Sequence, residues 1–263
     1  MELSLASLDT ELWKRYSSAY GDISPGISKL LDASLEDGER REVLEEIFEA
    51  VSHQMSFYPA LWLALPYLVQ ELDREKEFEE QVFLIGEIGC CLATDFPANR
   101  ELYPAPEKEV EEAYAGAKEM LREMVQSFFR GQLEALRRLN PSHKNFFCTG
   151  VLAILGDPEA AFALISSGWE ACYLLCPSCG QVEEELELSD MNQLENIRPA
   201  PLAEDWDQTT FQDTYQWFGG LLKLLGAGED RRRLSYYYGT YTCPECGEQG
   251  LVMDWMKGYF SEG

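Results

Sequence analysis

Four of the eight cysteines fall in two near-identical pentapeptides, CPSCG at 176–180 and CPECG at 243–247. Two cysteines two residues apart across a tight turn can point both sulfurs inward. The glycine that follows each pair allows the positive φ that such a knuckle needs. Backbone N–H groups around the turn can donate to the thiolates and lower their pKa. Two knuckles then supply four sulfurs, the ligand set of a tetrahedral metal site. The expectation is one structural Zn2+, or another tetrahedral metal, on Cys176, Cys179, Cys243 and Cys246. A four-thiolate site is coordinatively closed, so it has no open position for water or substrate. Its role is to join two distant hairpins and close the 63 residues between them into a loop. Paired dithiol redox motifs are the competing reading. The proline after each first cysteine and the duplication favour metal.

Other chemistry-bearing residues are weaker candidates. Cys90 and Cys91 are adjacent at the apolar end of a helical pattern, and Cys148 and Cys172 lie among apolar residues. As nucleophiles they lack a signature, so they read as small buried hydrophobes. The two histidines, His53 and His143, have no catalytic-cysteine context. LGAGED at 225–230 contains G-x-G without a preceding strand or a following Lys-Ser/Thr, and helix-end glycine explains it better. Arg231, Arg232 and Arg233, with Lys223 nearby and tyrosines at 236–238, form the one basic-aromatic cluster. They suit either a nucleic-acid face or internal pairing with acidic neighbours. No catalytic residue and no cofactor-binding loop is expected.

These groups must be carried by a largely helical scaffold. Helical spacing runs from Asp9 or Thr10 through Tyr20, from Glu39 to His53, from Pro59 through Leu72, and from Lys76 to Thr94. Pro66 should kink the third of these or mark its start. Val110, Tyr114, Ala117, Leu121, Met124 and Phe128 form one stripe of a long helix that Gly131 is expected to interrupt. Asn140-Pro141 and Asp157-Pro158 each read as a cap followed by a first-turn proline. After Trp169 the pattern becomes strand-like. Val182, Leu186 and Leu188 are expected on one face of a strand and Glu183, Glu185 and Glu187 on the other. TYTCPECGEQGLVMDW reads as a second strand–knuckle–strand unit. The division expected is 1–170 for the helical layer and 171–263 for a ribbon with a helical insertion at about 205–238.

YPALWLALPYLVQEL resembles a helix of HEAT-type repeats. VLAILGDPEAAFALISSGWEACYLLCPSCG and LSYYYGTYTCPECG resemble uncharacterised bacterial HEAT-like helical-repeat proteins that carry an embedded four-cysteine zinc ribbon. The resemblance covers roughly 57–94 and 146–246. It implies a mostly α fold, a HEAT-like α-solenoid with a small C-terminal β zinc ribbon, and no known catalytic residues. Some such proteins lie near toxin systems.

The 263 residues carry 47 acidic and 21 basic side chains, a formal net charge of −26. Such a field repels nucleic acid and anionic membranes and attracts a basic partner. No basic n-region with an apolar run opens the chain, and its most apolar stretch, FYPALWLALPYLV, is shorter than a bilayer span. A cytoplasmic, non-enzymatic protein-binding module with a basic protein partner follows as the expectation, an immunity-like toxin neutraliser being its sharper form. A nucleic-acid-associated zinc ribbon and an enzyme with an unrecognised cleft are the alternatives.

Overall fold

The computed structural model describes residues 3–188, 194–204 and 213–262. Helices dominate: Leu12–Arg15 (α1), Ser24–Leu30 (α2), Asp37–Ser52 (α3), Ala60–Arg74 (α4), Phe78–Ala93 (α5), Pro97–Arg100 (α6), Lys108–Leu136 (α7), Pro141–Leu155 (α8) and Pro158–Ser166 (α9). Then come strands Ala171–Leu175 (β1), Val182–Glu187 (β2) and Ile197–Arg198 (β3), and helices Thr214–Leu224 (α10) and Gly228–Tyr237 (α11). Strands Thr240–Thr242 (β4) and Gln249–Leu251 (β5) and helix Val252–Glu262 (α12) follow. The fold is mostly α with a small antiparallel β region towards the C-terminus. The chain divides into two compact units, Met1–Gly131 and Gln132–Gly263. A partition at 170 and 171 would cut through the second unit, because α8 and α9 belong with the knuckles.

In the first unit α4 is the central element. Ala60 through Val69 are all buried, Pro66 among them. Pro66 neither starts nor ends the helix. It removes one backbone donor, but burial on every side outweighs that cost, since tertiary packing supplies most helical stability in proteins. Trp62 packs between Tyr16 and Phe57, with ring centroids 5.6 and 5.4 Å away. Two buried carboxylates are fully supplied with donors. Arg40 links Glu71 (2.8 Å) to the carbonyl of Leu30 (2.9 Å). Asp95 accepts from Arg100, from the Tyr114 hydroxyl (2.7 Å) and from Lys118 (3.1 Å).

The first helix is shorter than its sequence pattern. α1 ends at Arg15 because Tyr16 leaves helical geometry, with φ −96° and ψ 71°. That turn sends Tyr16 into the core, where its hydroxyl accepts the Glu107 N–H at 3.0 Å. Gly131 does not interrupt α7, which continues to Leu136.

In the second unit both predicted caps form. Asn140 accepts from the His143 N–H and Asp157 from the Ala160 N–H, each at 2.9 Å. β1 and β2 make one antiparallel pair, and β3, β4 and β5 make a three-stranded sheet in the order β3-β4-β5. A bulge lies within the β1–β2 pair: Cys172 faces Leu186, but Leu174 faces Glu183 and Leu175 faces Val182. The extra residue reverses the side-chain alternation. Val182 therefore falls on the face opposite Leu186 and is exposed, contrary to the shared face expected of them.

The segment after the second knuckle also differs from expectation. β5 has three residues, and Val252 begins a helix. Val252, Met253, Trp255 and Met256 are buried. Their spacing of one, three and four fits a helix and not a strand. α12 covers β1 and α9, with Tyr173 stacked on Tyr259 at 5.6 Å. Of the expected insertion, residues 205–212 lie outside the described residues, and α10 and α11 fill 214–237.

Candidate metal centre

The two knuckles share one backbone design. In the first, the Cys176 N–H donates to the Gln181 carbonyl and the Gly180 N–H to the Cys176 carbonyl, both at 2.9 Å. In the second, Cys243 N–H donates to Glu248 and Gly247 N–H to Cys243, again both at 2.9 Å. Gly180 and Gly247 sit at φ +72° and +75°, a left-handed conformation that side chains other than glycine's strain to adopt. The strand before each knuckle sets its approach: β1 runs into Cys176 and β4 into Cys243. Gly239, at the entry to β4, is required by close approach. A Cβ there would lie 2.6 Å from the Arg198 carbonyl oxygen.

The structure brings all four predicted cysteines together. Their sulfurs lie within 4.8 Å of one another. Cys176 Sγ is 3.6 Å from Cys246 Sγ, and Cys179 Sγ is 3.8 Å from Cys243 Sγ. A disulfide would hold two sulfurs about 2.05 Å apart, so neither contact is one. Thiolates placed about 2.3 Å from a central ion form a tetrahedron with edges of about 3.8 Å. The observed spacing fits that set. Cys176 and Cys243 are buried, while Cys179 and Cys246 form an exposed lip. Ser178 ties the knuckles further by donating to Glu248 at 3.1 Å, a cross-link with no signal in the sequence.

The electrostatics also ask for a cation. Burial raises the Cys176 thiol, but the N–H groups of Cys179 and Ser178 and the neighbouring sulfurs outweigh it and bring it down to about 7. For Cys246 the Glu248 N–H pulls down, yet burial and the surrounding sulfurs win and push it up to about 12. Negative sulfurs this close repel one another, so one ionises readily and a later one does not. A central dication removes that repulsion. The cluster is thus consistent with a structural metal. Among the described residues no second group of His, Cys, Asp and Glu side chains brings three ligand atoms together.

The remaining cysteines are elsewhere and inert in character. Burial pushes Cys91 and Cys172 up to about 12, and raises Cys90 and Cys148 as well. His53 meets Glu49 (2.5 Å) and Tyr20 (3.0 Å), and His143 stands in the first turn of α8. The basic cluster is spent internally. Arg231 donates to the carbonyls of Ala203 (2.9 Å) and Gly219 (3.2 Å), and Arg233 pairs with Glu229 (2.8 Å). Arg232 is engaged too, and Lys223 pairs with Glu204 at 2.6 Å. Tyr237 is fully buried, and Tyr238 stacks on Tyr215 at 4.7 Å.

Comparison with known proteins finds no matching family model, no similar curated protein and no similar solved structure. Of the resemblance to HEAT-like ribbon proteins, the structure shows a mostly helical chain with a four-cysteine cluster. Among the described residues no helix is long and apolar enough to cross a membrane.

Proposed function

We propose that the chain is a non-enzymatic protein-binding module whose second unit is clasped by one structural zinc. The spacing of the four sulfurs supports the zinc. A set of four thiolates with no His or carboxylate suits zinc over harder divalent ions, and it leaves no coordination position open for chemistry. Metal analysis of reduced protein should return one zinc per chain, and a protein without zinc overturns the site.

The binding role rests on charge. With 47 acidic against 21 basic residues, carboxylates are in large excess, and many of the cations are already held in ion pairs within the chain. The uncompensated surface is acidic, so the partner is a basic protein. A basic nuclease-like toxin neutralised by this surface is the sharper form of the reading. The internal pairing of Arg231 and Arg233 weighs against the nucleic-acid alternative. Affinity purification from the native organism should return a basic protein released by added salt. Recovery of acidic partners alone would count against the reading.

A further inference from the structure

Two clefts in the first unit share a wall at Trp62. The larger, of about 450 Å3, is lined by Trp62, Arg100, Glu101, Tyr103, Pro106 and Glu111 among others. The smaller, of about 200 Å3, includes Leu5, Leu12, Leu63, Pro66, Glu107 and Glu109. Aromatic, proline and leucine side chains line them together with carboxylates and, in the larger, Arg100.

Three observations single out this surface. Among the described residues five large apolar side chains are exposed. Leu5, at 37%, lines the smaller cleft; Leu102, at 75%, follows Glu101 and precedes Tyr103 in the chain, both of which line the larger. Glu101 and Glu109 make no ion pair among the described residues, whereas Glu107 pairs with Arg15 and Glu111 with Arg100. Finally, the indole N–H of buried Trp62 has no acceptor.

We infer that the Trp62 clefts dock an extended segment of the basic partner, one carrying a large apolar side chain next to lysine or arginine. The inference rests on the proposal that the partner is basic. The apolar side chain enters the larger cleft beside Tyr103 and Pro106, its flank covering exposed Leu102, and the cation meets Glu101 or Glu109. Each element matches one feature of the surface: apolar wall to apolar anchor, unpaired carboxylate to cation.

Fluorescence anisotropy with labelled peptides tests it on the full zinc-loaded chain. One probe alternates leucine or proline with arginine, a second is an oligolysine of equal length, and a third replaces each arginine of the first by glutamate. The leucine–arginine probe should bind most tightly and the glutamate probe not at all. Leu102→Ser should weaken it about tenfold. Glu101→Gln with Glu109→Gln should weaken it about two- to fivefold per carboxylate and flatten its salt dependence. Leu251→Ser, at an exposed leucine of the second unit, should change nothing. If both cationic probes bind but the cleft variants leave binding unchanged, the cleft assignment falls and the basic-partner reading stands. If neither cationic probe binds at low salt, both fall.

Discussion

At the scale of single residues, two carboxylates of the first unit, Asp95 and Glu87, show what burial does to charge. Asp95 is neutralised by Arg100 and Lys118 and bonded by Tyr114. Removing it in Asp95→Ala strands two cations and a hydroxyl, and should cost about 3–5 kcal/mol in urea unfolding. Glu87 has the opposite problem. Burial raises its pKa to about 7, with Glu45 adding to the rise and Arg41 opposing it. A glutamate in the unfolded chain ionises near ~4.3. The native state therefore holds the extra proton between these values, so this residue's contribution to stability falls as pH rises through that window. Glu87→Gln should raise the melting temperature at pH 8 and leave it nearly unchanged at pH 4, below both values. Parallel pH profiles for the variant and the parent would refute this. The cysteine set CPSCG and CPECG was legible because thiol spacing and the following glycine are local properties, whereas buried charge is not local and nothing in the sequence singles out Asp95 or Glu87 among 47 acidic residues.

At the scale of elements, the helix starts at Asn140 and Asp157 were legible because a capping side chain and a first-turn proline act within one turn. Asp157 does more than cap. Its carboxylate also meets Lys257 of α12 at 3.2 Å. Asp157→Ala should lose about 1 kcal/mol from the cap and a further fraction from the ion pair, whereas Asp157→Asn should retain most of the cap. Urea denaturation of the three proteins separates the two contributions. The elements misjudged were those that tertiary packing decides. Tyr16 ends α1 by turning to Trp62, and the β2 bulge reverses the alternation of Val182 and Leu186. α12 was readable in principle, since Val252, Met253, Trp255 and Met256 already carry the helical period. In sequence its start resembles the strand after the first knuckle.

At the scale of the whole chain, sequence predicted a mostly α protein with a small C-terminal β region, and that coarser class of fold is what forms. The division into units was not legible, because it falls inside the continuous helix α7. Structural zinc contributes about 10–16 kcal/mol of apparent binding free energy, which becomes folding free energy. Chelation should therefore act on one unit selectively. Hydrogen exchange after chelation should show lost protection in β1, β4 and β5 and in the packing around Trp169, with α4 and α5 still protected. Uniform loss across the chain, or none, would contradict a local clasp. Cys176→Ser should reproduce the same pattern without chelator.

The separation of the knuckles has a consequence during biosynthesis. Sixty-three residues lie between Cys179 and Cys243. At about 5–20 residues per second, the first pair of thiols leaves the ribosome roughly 3–13 s before the second. On the proposed zinc reading, Cys176 and Cys179 are for that interval a half-site, open to oxidants and to mismatched metals. The yield of properly assembled protein should then depend on zinc supply and reducing conditions while the chain is being made, more than on either once it is finished.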